Sequence, residues 1–181
     1  MVFQESGLVF SFPRGWGVRH YDRHTYYRGL SGQGLKAVDF MALAPDGSLW
    51  LIEVKNFRRR REFLPVLKTP AELGAQLLQK TADTQRAIHA IYGYYRRSGL
   101  YRWIEPLLLQ LPWTRFDRIF WTRAYARRAQ TKVVLWLELE PDQEGFRAEM
   151  NAWLKAHWPP DAPPVQLGGG EGRAPWALGR N

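Results

Sequence analysis

Leu35–Phe57 reads LKAVDFMALAPDGSLWLIEVKNF, two apolar runs joined by a turn, with Asp39 in the first run and Glu53 and Lys55 in the second. Ala37, Met41 and Leu43 alternate with Val38, Phe40 and Ala42, and almost all are apolar, the pattern of a strand buried on both faces. Asp39 breaks that pattern. After Asp46-Gly47, a two-residue hairpin signal, Leu51, Glu53 and Lys55 share one face of a second strand while Trp50, Ile52 and Val54 share the other. An unpaired carboxylate on a buried strand is costly, so these acids are expected to be paired or to hold a metal. A hairpin centred on Asp46-Gly47 brings Asp39 close to Glu53, near enough for both to reach one ion, and Lys55 adds an ammonium on the same face.

The surrounding chain bounds the possibilities. At 181 residues and 45% hydrophobic content it suits one globular domain, taken as 1–158, followed by a Pro- and Gly-rich tail over 159–181. The balance of 26 Lys+Arg against 17 Asp+Glu leaves a charge of +9 and points to a polyanionic partner. Cysteine is absent, which excludes disulfides, Cys-ligated zinc and iron–sulfur clusters and suits a reducing cytoplasm. The N-terminus lacks the pattern of a signal peptide and no apolar run reaches the length of a membrane span, so a soluble, cytoplasmic protein without a membrane partner is expected.

In chain order, Phe3–Phe12 is too short to assign, and Trp16–Tyr21 reads as a first core strand. The segment 22–34 mixes Arg23, His24, Tyr26, Tyr27 and Arg28 with glycines. It reads either as a substrate-touching loop, with Tyr27 stacking and Arg28 on phosphate, or as tyrosines packed on the core. His20 and His24 would share one strand face as a hydrogen-bonded pair. Arg58, Arg59, Arg60 and Arg61 follow the second strand directly and are candidate phosphate contacts. Thr69-Pro70-Ala71-Glu72 starts a long helix whose apolar stripe is Leu73, Leu77, Thr81, Thr84, Ile88 and Ile91, with Gln76, Lys80 and Asp83 on a neighbouring face. Two more helical segments follow, over 100–111 and from Trp113, then a strand over 132–140 and a last helix carrying Phe146, Met150, Trp153 and Leu154.

Asp39, a 13-residue gap, and then Glu53-Val54-Lys55 resembles the D…ExK signature of the PD-(D/E)XK nuclease superfamily, with Val38 where a proline is usual. The resemblance implies an α/β fold of restriction-endonuclease-like type: a mixed central sheet flanked by helices, an α-β-β-β-α-β core, here with added helices. It implies metal-dependent hydrolysis of phosphodiester bonds, in DNA in preference to RNA, with Asp39, Glu53 and the Val54 backbone carbonyl holding Mg²⁺ or Mn²⁺ and Lys55 acting on the attacking water. It further implies that Gln76 or Lys80 reaches the site from the following helix, that Glu5 is an accessory ligand on a leading helix, and that a homodimer is compatible with cutting two strands. The alternatives are a nucleic-acid-binding module or subunit of a larger complex without chemistry of its own, and an interaction domain with a buried ion-pair cluster.

Overall fold

A computed structural model describes residues 1–32, 34–58, 68–111, 116–169 and 177–179. Its centre is a five-stranded mixed sheet in the order β3 (Gly17–His20), β4 (Phe40–Leu43), β5 (Leu49–Asn56), β6 (Thr131–Glu138) and β7 (Val165–Gly168). β3, β4 and β5 are antiparallel neighbours, whereas β6 is parallel to β5 and β7 to β6. Parallel pairing requires crossovers. The first contains α2 (Pro70–Arg96), α3 (Gly99–Gln110) and α4 (Asp117–Ala126), and the second contains α5 (Glu144–His157).

The two sheet faces are covered differently. Met41, Leu43, Leu51, Val133, Leu135 and Leu137 pack with α2, α4 and α5 residues such as Leu73, Leu77, Ile88, Phe120 and Met150. On the other face Val18, Phe40, Ala42, Ile52, Val54 and Trp136 meet Leu8, Phe10, Phe12 and Trp16. The expected flanking by helices therefore holds for one face only. Leu8, Phe10 and Phe12 alternate with Val9 and Ser11, a period of two that forms a strand, so the place expected for a leading helix holds the hairpin β1 (Val2–Glu5) and β2 (Leu8–Ser11). Ser6 and Gly7, at φ 50° and 77°, make its two-residue turn, both residues being left-handed as a primed turn requires. A fully buried Phe10 or Phe40 contributes about 1.5–3 kcal/mol by burial alone.

The β4–β5 turn differs from the two-residue hairpin expected at Asp46-Gly47. Ala44 N–H donates to Ser48 O at 2.9 Å and Gly47 N–H to Ala44 O at 2.9 Å, enclosing Pro45-Asp46-Gly47 with Gly47 at φ 83°. This is a three-residue loop ending in a left-handed glycine. Phe40 still pairs with Ile52 and Met41 with Leu51, so the register centred on position 46 stands.

α2 begins as its sequence predicts. Thr69 Oγ1 accepts the Glu72 N–H at 3.3 Å and Glu72 Oε2 accepts the Thr69 N–H at 2.9 Å, a reciprocal cap preceding Pro70. Two expectations change. Part of 22–34 is a helix, α1 (Thr25–Ser31), because Tyr26 and Tyr27 have the core to pack against. Part of the supposed tail over 159–181 belongs to sheets: β7 places Val165 and Leu167 against the helical face of the core, and β8 (Ala177–Gly179) pairs with β2. Arg147 of α5 secures the β7 end, donating to Gly168 O at 3.0 Å and Leu137 O at 2.9 Å. Among the described residues no helix is long and apolar enough to cross a membrane.

Candidate active site

The end of β3, the approach to β4 and the end of β5 lie at one end of the central sheet, and the tip of the β1–β2 hairpin reaches that end from the face opposite α2. Continuing the β4–β5 register by one residue sets Asp39 opposite Glu53, and side-chain alternation turns both toward α2. Asp39 is 8% exposed and Glu53 only 2%. The Val54 N–H donates to Asp39 Oδ2 at 2.6 Å, and the Asp39 carbonyl accepts the Tyr21 N–H at 2.7 Å. The Val54 carbonyl leaves the same edge of β5 as its N–H, on the side of Asp39.

Glu53 is bracketed by cations. Lys80 Nζ donates to Oε1 at 2.7 Å and to Oε2 at 2.8 Å, while Lys55 Nζ lies 2.6 Å from Oε1. With all four groups ionised, the charges of Asp39, Glu53, Lys55 and Lys80 cancel. Burial pushes the Asp39 carboxyl up to about 7, the negative Glu53 adds to the rise, and Lys80, the Val54 N–H and Lys55 oppose it. Burial disfavours the Lys55 ammonium, yet Glu53 beside it, by charge and hydrogen bond, holds its pKa above the ordinary value. An acid pair so placed suits a hard divalent cation, which takes carboxylate and carbonyl oxygens.

Packing positions these groups. Leu73, Leu77, Thr81, Thr84 and Ile88 bury one stripe of α2, which directs Lys80, on the flank, to Glu53. The same helix holds the chain entering β4: Asp83 Oδ2 accepts the Lys36 N–H at 3.1 Å and Thr84 Oγ1 the Val38 N–H at 3.3 Å. Asp83 pairs with Arg86 at 3.0 Å, not with Lys80.

Lys80 thus joins Asp39, Glu53 and Lys55. Gln76 does not: its Oε1 accepts from Lys68 Nζ at 3.0 Å. Tyr27 packs against Tyr21, with ring centroids 5.6 Å apart, so one face expected to stack on a base is used internally. Arg28 is exposed on α1. Arg58 ion-pairs with buried Glu138 at 2.9 Å, and Glu138 also accepts the Trp136 indole N–H at 3.0 Å. That pairing ties Arg58 to the end of β6, with about a third of its side chain exposed. Arg59, Arg60 and Arg61 lie outside the described residues.

Beside the quartet is a group that the sequence reading did not assemble. Glu5, reached as an accessory ligand only through the resemblance, arrives on a strand, and His20 Nε2 lies 2.8 Å from its Oε2 and 3.2 Å from Asp22 Oδ1. Arg23 NH2 is 2.9 Å from the same Glu5 oxygen. His24 turns elsewhere, 3.3 Å from Asp117, so the two histidines do not pair. The signal available was Glu5-Ser6-Gly7-Leu8, a turn with alternating apolar flanks, which carries Glu5 to this end of the sheet. The groups sense one another: Glu5 favours the Lys55 ammonium, and Lys80 favours the Asp22 carboxylate.

No protein-family model matches this chain, and neither the curated proteins nor the solved structures contain a match to it.

Proposed function

We propose that the chain is a metal-dependent nuclease acting on DNA in preference to RNA. The observation that carries this reading is the convergence of Asp39, Glu53, Lys55 and Lys80 at one end of the sheet. Three features support it: β3, β4 and β5 are antiparallel, β6 is parallel to β5 after a helical crossover, and the net charge is +9. That strand arrangement agrees with a restriction-endonuclease-like core whose leading helix has been replaced by a hairpin.

Asp39 and Glu53, with the Val54 carbonyl, would hold Mg²⁺ or Mn²⁺. The cation would supply charge for the phosphate oxygens and make water a stronger acid. Lys55 holds an ammonium against Glu53, where it would orient the attacking water and face the negative charge that builds on the phosphoryl oxygens. Lys80, donating to both Glu53 oxygens, fixes that carboxylate in place. The Val54 N–H fixes Asp39 in the same way.

One observation favours a second reading, a nucleic-acid-binding module or subunit without chemistry of its own. Both Glu53 oxygens accept from Lys80 and one is also met by Lys55, so this carboxylate is fully partnered without a cation. The two readings separate when the purified chain is incubated with plasmid and with single-stranded DNA, in Mg²⁺, in Mn²⁺ and in chelator. Metal-dependent cleavage that disappears in Lys55→Ala while binding persists supports the nuclease. Salt-sensitive binding without cleavage in either metal supports the module.

A further inference from the structure

We propose that Glu5, His20 and Asp22 form a second cation site, suited to a transition-series divalent ion such as Zn²⁺, Mn²⁺ or Co²⁺ and separate from the oxygen-only pair Asp39 and Glu53. The inference does not depend on the nuclease reading.

The donor set selects the ion class. An imidazole nitrogen between two carboxylates suits borderline metals, whereas Mg²⁺ favours oxygen and retains its water. Three protein ligands would leave positions for water.

The distances agree with such an ion. Ligands about 2.0–2.2 Å from a tetrahedral metal lie about 3.4 Å from each other, and about 3.0 Å apart around an octahedral one. His20 Nε2 is 2.8 Å from Glu5 Oε2 and 3.2 Å from Asp22 Oδ1, and one donor atom from each residue falls within 4.8 Å of the others. The ring is already oriented. It lies 4.6 Å from the Phe40 ring and 6.4 Å from that of Phe3, both from the apolar layer between the sheets.

A second observation points to a missing partner. A single nitrogen can serve one of the two carboxylates, and it lies nearer Glu5. Asp22 Oδ1, whose surface is closed to water, is left with the ion-pair contact to His20 and no hydrogen bond. Such an atom is uncommon in a folded protein and calls for an explanation. Arg23, 61% exposed, puts its guanidinium on the Glu5 oxygen that faces His20, where a cation would be attracted. Ser6 Oγ donates to the other Glu5 oxygen at 3.0 Å, so Arg23 can leave without stripping that carboxylate.

Co²⁺ provides the test, because its visible absorption changes intensity and position when nitrogen replaces water as a ligand. The full chain is titrated with Co²⁺ in the wild type, His20→Gln, Asp22→Asn and Asp39→Asn, with circular dichroism of each variant to establish folding. The expected result is a saturable band in the wild type and in Asp39→Asn, displaced by Zn²⁺, absent in His20→Gln and at least about tenfold weaker in affinity in Asp22→Asn. Asp22 is partly exposed, so its variant reports even if His20→Gln does not fold. No band in the wild type, an unchanged affinity in Asp22→Asn, or loss of the band in Asp39→Asn alone overturns the proposal. DNA cleavage assayed in parallel in Mg²⁺ alone reports on Asp39 and Glu53, so either idea can fail without the other.

Discussion

Glu53 and Glu138 are both strand glutamates, 2% and 0% exposed, yet they sit in opposite kinds of surroundings. Glu138 accepts an indole N–H at one oxygen and faces one guanidinium across an ion pair at the other, which makes no hydrogen bond. Glu53 faces a second carboxylate across the strand pair and is held by two flexible ammoniums that remain 29% and 22% exposed. A buried acid paired with one cation is held in place at a desolvation cost that the pair only partly offsets. Two buried acids side by side, balanced by two partly exposed lysines, form an arrangement open to solvent on its cationic side.

That contrast can be broken most directly through activity. Lys55→Ala or Glu53→Gln is expected to lower cleavage by about 10²–10⁴-fold, while Glu138→Gln leaves it within about twofold; plasmid nicking rates at saturating metal measure both. A Glu138→Gln protein as inactive as Lys55→Ala would erase the distinction.

The next effect is electrostatic. Asp39 has a folded pKa of about 7 against an ordinary 3.8, so between these values the folded chain keeps a proton that the unfolded chain has lost. Stability in chelator should therefore fall as pH rises from about 4 to 7, by up to about 1.4 kcal/mol per pH unit from this group. Denaturant midpoints across that range should lose this slope in Asp39→Asn and keep it in Glu138→Gln.

Metal addition sharpens the comparison further. At about 100 times its dissociation constant, Mg²⁺ or Mn²⁺ should stabilise the wild type by about 2.7 kcal/mol. Thermal melts should show this rise in Glu138→Gln and not in Asp39→Ala. The smallest effect belongs to the brace itself. Glu138→Gln weakens the contact with Arg58 and should cost about 1–3 kcal/mol, toward the lower end because Arg58 is a third exposed and water can replace part of the interaction. Urea unfolding measures it.

How much of this was legible depended on whether the determining contacts were local. The Asp39–Glu53 alignment follows from alternation about a turn, and it survived a wrong turn type because the centre of symmetry stayed at position 46. The α2 start was readable because a capping box is complete within four residues. Helical spacing put Lys80 on one face with Gln76 and the resemblance made it a candidate, but its contact with Glu53 depends on how α2 lies across the sheet, which 3.6-residue periodicity does not specify. The Glu5, His20 and Asp22 group joins two distant segments and was unreadable until the hairpin was known to cover the second sheet face. The Arg58–Glu138 ion pair was unreadable for the same reason, the two residues being 80 apart in sequence.

The β2–β8 pairing joins Val9 to Gly179, a separation of 170 residues. Synthesis delivers Val9 170 residues before Gly179, so the β8-facing edge of β2 stays unpaired over that interval. Contacts of such long range close slowly, and an open strand edge is prone to pairing with another chain in the interval. The hairpin that carries Glu5 thus has an open strand edge until Ala177–Gly179 pair with it and cover β2.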